Sequence, residues 1–132
     1  MGTLVFGTLH TNSAAKTIDR IIDIFPVTQQ AQVRTVLAES LAGIVAQQLL
    51  RKKGGKGRVA ATEILTGNHA VASIIREGKI ERITSVIQAG KREGMQLLDD
   101  ALEKMAMEGV IEGDDAYMKA NEKRRFEQFV TK

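Results

Sequence analysis

The chain has 132 residues, no cysteine, one proline and a formal net charge of +3. That length suits one domain with a real core, and 43% apolar with 27% charged residues excludes wholesale disorder. Absence of cysteine excludes disulfides and thiolate metal sites, no apolar run approaches the roughly 18 residues of a membrane span, and no signal peptide is visible.

In chain order, Leu4, Val5 and Phe6 are consecutive and apolar. That pattern predicts a strand buried on both faces, as in a parallel sheet flanked by helices. The rest of the chain offers no second strand of that kind, so the expectation is that this is the end of a larger α/β domain. A helix follows, capped by Asn12 or Ser13. Ala14, Ala15, Ile18, Ile21, Ile22 and Phe25 recur on one face of it, and Pro26 ends it. In open α/β sheets, ligands sit beyond the carboxyl ends of strands, where helix N-termini offer N–H groups to anions. His10, Thr11, Asn12 and Ser13 occupy that position, either as an anion-facing turn or simply as the closure of the turn.

Thr28 is the expected cap of a second helix reaching to about Leu50, with Val33, Val36, Leu37, Leu41, Ile44 and Val45 as its apolar face and Gly43 as a point of close packing. Its last turns, QQLLRKK, could equally be extended. The segment Arg58–Leu65 alternates weakly, so a β-hairpin with a glycine turn around Gly54 and Gly55 is expected. The turn carries Arg51, Lys52, Lys53, Lys56 and Arg58. With these five removed from the 19 basic residues, 14 remain against 16 acidic ones, so the basicity belongs to this one segment.

Three or four helices then follow. Asn68 caps a short one with Ala70, Val71, Ile74 and Ile75 inward and Gly78 as its end. Ile80, Ile83, Val86 and Ile87 define the next, up to Gly90. Met95, Leu98, Leu102 and Met105 form the inner stripe of another, stopped by Gly109. The last helix starts near Asp114, and its charged tail, ANEKRRFEQFVTK, frays or docks on a partner.

Site chemistry is sparse. No phosphate loop of the form G-x-x-x-x-G-K-[ST] occurs, and the GGKG of residues 54–57 is too short and lies in a hairpin. The two histidines, His10 and His69, have no second ligand nearby, so no metal site is expected. Ser40 has no visible base.

At FGTLHTNSAAKTIDRIIDIFP, Phe6 to Pro26, the sequence resembles the His-box region of the secretion ATPases. These are hexameric RecA-like motors of type IV pili and type II secretion. Residues 58–65, 70–77 and 94–102 narrow the resemblance to the branch that retracts type IV pili and drives twitching motility. It covers Leu4 to about Asp115. The fold class it implies is α/β: the C-terminal part of a RecA-like ATPase domain, with a terminal core strand and a β-hairpin, over residues 1–66. A helical C-terminal subdomain follows over residues 67–132.

The resemblance makes His10 the His-box histidine facing the nucleotide γ-phosphate, with Thr8 and Thr11 as flanking hydroxyls. Arg20 resembles a family arginine near the nucleotide, and its planar, permanently charged fork suits phosphate. Residues 70–77 match a family A-I-R-N-L-I-R-E motif tied to retraction. Ala70, Ile75, Arg76 and Glu77 hold, Ile74 stands for leucine, and Ala72 replaces an arginine.

The phosphate loop, the Asp box and the Walker B glutamate are expected upstream of Leu4, with Met1 a truncated start. The chain alone is then inactive, needing ATP and Mg only in its parent. The parent is expected to be a cytoplasmic homo-hexamer, peripheral to the inner membrane at the pilus base. It would work with pilus inner-membrane platform proteins, without nucleic acid and without a membrane span. The alternatives are part of a pilus-assembly or type II secretion ATPase, a helical interaction module, or a basic nucleic-acid-binding module built on the hairpin.

Overall fold

The computed structural model describes residues 2–131, and these form six α-helices and one antiparallel hairpin. In order they are α1 (Ala14–Asp23), α2 (Val27–Ser40), β1 (Gly43–Arg51), β2 (Arg58–Thr66), α3 (His69–Glu77), α4 (Ile83–Ala89), α5 (Leu98–Met107) and α6 (Gly113–Lys119). Short 3₁₀ segments lie at Ile80–Arg82, Lys91–Glu93 and Lys123–Phe129.

Residues 2–12 precede α1 without regular structure. The strand expected at Leu4–Phe6 is therefore not formed: these side chains are 75%, 76% and 89% exposed. An all-apolar strand needs neighbours on both sides, and among the described residues the only strands, β1 and β2, pair with each other. The second correction concerns α2. It starts at Val27 behind Pro26, not at Thr28, and stops at Ser40, where Leu41 turns extended at φ −67°, ψ 118°. Residues 43–51 are strand, with Ile44, Ala46 and Leu50 inward and Val45 and Leu49 outward. Two-residue alternation of β-branched and apolar side chains wins here over the coincident helical spacing of Leu41, Ile44 and Val45. Gly43 is a point of close approach, as expected, but in the sheet: a Cβ there would stand 3.0 Å from the Leu65 carbonyl.

The hairpin register runs from Gly43 opposite Thr66 to Arg51 opposite Arg58. Its turn is closed by Lys52 N–H donating to the Gly57 carbonyl (3.0 Å) and Gly55 N–H to the Lys52 carbonyl (2.9 Å). Gly54, Gly55 and Gly57 all sit at positive φ, the region where glycine has no steric cost. Lys53 N–H donates to the Val110 carbonyl (2.8 Å) and ties the turn to the α5–α6 connection.

Two hydrophobic clusters flank the hairpin. The first joins Ile18 and Ile22 of α1, Ala38 of α2, Ile44 and Leu65, Val71 and Ile75 of α3, Ile83 and Ile87 of α4, and Met95. The second joins Leu50 and Ala61 to Leu98 and Leu102 of α5, Ile111, Ala116 of α6, and Phe126. The charged tail docks on its own chain. Phe126 is fully buried, and Arg125 pairs with Asp100 and with Glu103 (2.7 Å). No helix among the described residues is long and apolar enough to cross a membrane.

Candidate functional site

The site grows from the start of α1. Ser13 is extended (φ −152°, ψ 153°), and its Oγ accepts from Lys16 N–H at 3.1 Å, so Ser13 is the cap. Thr17 Oγ1 and Thr11 Oγ1 lie 2.9 and 3.1 Å from the Ser13 carbonyl and 2.6 Å from each other; with one proton apiece, one hydroxyl donates to the carbonyl while the other donates to it or to its neighbour. Residues 11–13 are thereby fastened to the first turn of the helix. Farther along, Arg20 Nη1 donates to the His10 carbonyl at 2.7 Å, a bond from a charged donor that bridges ten residues of sequence.

Helical spacing puts Lys16 and Arg20, four residues apart, on one face of α1. With His10, Thr11, Asn12 and Gln48 of β1 they line an open cleft of about 410 Å³. A second cleft continues from Asn12, Lys16 and Gln48 to Lys119, Asn121 and Lys123. The combined lining holds four Lys or Arg side chains and no carboxylate. The acidic residues of α1 lie elsewhere: burial, with the nearby Asp23, holds the Asp19 carboxyl above its ordinary 3.8 against the opposing pull of Arg34. Such a donor set suits an oxyanion. It does not suit a metal ion, and among the described residues no cluster of three His, Cys, Asp or Glu could hold one.

Of the residues singled out from sequence, His10, Thr11 and Arg20 come together here, with His10 and Arg20 exposed. The Thr11 hydroxyl is engaged with its own helix. Thr8 is exposed and outside the cleft lining. The 70–77 segment lies on α3, which packs on α2. Its Ile74 and Ile75 are core, whereas Ala70, Arg76 and Glu77 are exposed, with Glu77 3.5 Å from Lys79. Lys16, Gln48, Lys119, Asn121 and Lys123 are not singled out by the sequence. Lys16 could have been found from its four-residue spacing to Arg20. Lys119, Asn121 and Lys123 lie more than ninety positions from α1 in sequence and carry no local signal.

Residues 1–125 match the family described as Type II/IV secretion system protein. The chain is 50% identical over 119 residues to the type IV pilus retraction ATPase PilT of Pseudomonas aeruginosa, covering 90% of this chain and 34% of that protein. It is 49% identical over 119 residues to a twitching motility protein of Neisseria gonorrhoeae, covering 90% and 32%. The chain thus spans about a third of the length of the curated relatives it matches. Its structure is similar to the crystal structure of the pilus retraction motor PilT with bound ADP. The TM-score is 0.82 at 45% identity, over 95% of this chain and 34% of that one. The ATPase DotB of Legionella pneumophila shares the fold, with a TM-score of 0.65 at 23% identity.

Proposed function

Because the chain belongs to the type II/IV secretion system protein family, we propose that it serves an ATP-driven motor of type IV pilus retraction and twitching motility. Within that motor it would read the nucleotide's phosphate and pass the reading on. The observation that carries this is the carboxylate-free cleft around His10, Lys16 and Arg20, in a chain half identical to a pilus retraction ATPase. In this reading the bound nucleotide supplies the phosphoanhydride whose cleavage drives the motor. His10 donates to the terminal phosphate, and Arg20 and Lys16 balance its charge, with Thr8 and Thr11 beside them. Since Arg20 holds the His10 carbonyl and the hydroxyls of Thr11 and Thr17 hold residues 11–13, the loop and α1 move as one body. Loss of a phosphate removes the anion that draws this body inward. The lining fits phosphate oxygens and not magnesium, which the proposal leaves to other parts of the motor.

Residues 1–66 then form the nucleotide-facing part, and residues 67–132 carry the motion. Ile74 and Ile75 anchor α3 in the core, leaving Ala70, Arg76 and Glu77 to meet a partner. In this reading the motor would be a homo-hexamer in the bacterial cytoplasm, working against platform proteins of the inner membrane at the pilus base. The test is a chimera in which the matching segment of the Pseudomonas relative is replaced by this chain. Twitching should be restored in a strain lacking its own motor, and His10→Ala in the chimera should abolish it at equal protein level. A stable chimera that twitches equally well with His10→Ala would overturn the reading.

A further inference from the structure

Glu63, on β2, is 4% exposed, and no partner cation faces it among the described residues. Burial raises its carboxyl above the ordinary 4.5, although two backbone N–H groups oppose that shift. Those two donors begin different helices. Glu63 Oε2 accepts from Ala14 N–H, the first residue of α1, at 2.7 Å. Glu63 Oε1 accepts from Leu98 N–H, the first residue of α5, at 3.1 Å. The start of α5 has no side-chain cap of its own, because Leu97 occupies the cap position. One buried carboxylate therefore serves two helix N-termini, each with unpaired N–H groups and a positive dipole end.

The two ends belong to different parts of the molecule. α1 carries Lys16 and Arg20 of the cleft and belongs to the first hydrophobic cluster; α5 belongs to the second. Beyond Leu98 the chain of bonds continues. Asp99 Oδ1 and Oδ2 accept from the N–H groups of Asn121 (2.8 Å) and Glu122 (2.9 Å). We propose that Glu63 is a positioning residue for the His10–Arg20 cleft, a strut that fixes the start of α1 against the start of α5 and links displacement of α1 to the C-terminal segment. A carboxylate is required because both of its ends are acceptors. Glutamine has one acceptor oxygen, so its amide N–H₂ would face a backbone donor at one of the two helices. Apolar packing alone would hold the helices without making one answer to the other. That the linkage serves phosphate sensing rests on the function proposed above; the linkage itself is a property of the chain without nucleotide.

The test is amide hydrogen exchange by NMR on the full ligand-free chain. Ser13→Ala removes the cap at the α1 end only. In the wild-type background it should speed exchange of Leu98, and of Asn121 and Glu122 beyond it, by about fivefold, while the β1–β2 ladder amides stay unchanged. In the Glu63→Gln background the same Ser13→Ala change should leave Leu98 exchange unaltered. Leu98 unmoved by Ser13→Ala in the wild-type chain, or moved equally in both backgrounds, or moved only together with the ladder amides, would overturn the strut. Should Glu63→Gln fail to fold, the Ser13→Ala arm in the wild-type chain decides alone. No arm uses nucleotide, so failure of the motor reading would leave this result standing, and the reverse.

Discussion

Phe126→Ala tests how the charged C-terminal segment is held. The ring is fully buried, 5.9 Å from that of Phe129, among Leu98, Leu102, Ile111 and Ala116. In the middle of a chain, Phe→Ala at such a site costs about 3–5 kcal/mol, transfer and cavity together. Here a second response competes, because the segment is close to the C-terminus and can let go. Letting go loses the burial of the ring, about 1.5–3 kcal/mol. It also loses the ion pairs of Arg125, whose side chain is 28% exposed, so about 0.5 kcal/mol each after screening. The Asp99 bonds to Asn121 and Glu122 go as well, though those exposed amides recover water. Releasing the segment returns part of this as backbone entropy. The cheaper route wins, and the expected loss is about 3 kcal/mol, the lower end of the core range. Urea unfolding followed by circular dichroism measures it. Trypsin should cut at Lys123, Arg124 and Arg125 much faster in the variant. A loss under about 1 kcal/mol with unchanged trypsin cutting would refute the docking argument.

Gly90→Ala should destabilise by about 1–3 kcal/mol in the same assay, because a Cβ there would stand 2.5 Å from Met95 Sδ, whose side chain is buried. Acid should reveal Asp100: burial pushes its carboxyl up, but bonds from Arg125 and Lys91 outweigh that and hold it below the ordinary 3.8. A lowered carboxyl stabilises the fold fully above its unfolded value and loses that contribution as pH falls through its folded value. The wild-type urea midpoint should therefore drop below about pH 4, and Asp100→Asn should flatten that part of the profile. Arg20→Ala frees the His10 carbonyl at an exposed position, so stability should change by no more than about 0.5 kcal/mol while twitching of the chimera is lost. The chain by itself should hydrolyse no ATP, since its sequence lacks a phosphate loop.

Features decided within one turn of chain were legible. Ser13 and Asn68 cap their helices through side-chain oxygens that accept from Lys16 and Val71 N–H, and Gly78 ends α3 at φ +74°. The hairpin and its glycine turn were legible because Gly54, Gly55 and Gly57 interrupt two apolar stretches. The end of α2 was not, since Ile44 and Val45 fit a helical face as well as an alternating strand, and the polar Gln47–Gln48 pair blurred the alternation. Docking of the tail rested on a single buried Phe126 among charges, which no periodicity announces. In the cleft, His10 and Arg20 were legible through family resemblance. The contribution of Lys119, Asn121 and Lys123 follows from tertiary packing that brings α6 beside β1. Glu63 carries no local signal in the sequence, because what distinguishes it is the convergence of two helix starts that lie 84 positions apart.

In the proposed motor, the cleft around His10 reads the nucleotide's phosphate. The most direct test of this reading is the ATP hydrolysis rate of the purified Pseudomonas chimera carrying this chain, measured with and without His10→Ala. The chimera should be active, and its kcat should fall about a hundredfold or more on His10→Ala, the scale of losing one hydrogen-bond donor to a reacting oxyanion, with the melting temperature unchanged. An active chimera whose kcat is indifferent to His10→Ala would contradict it.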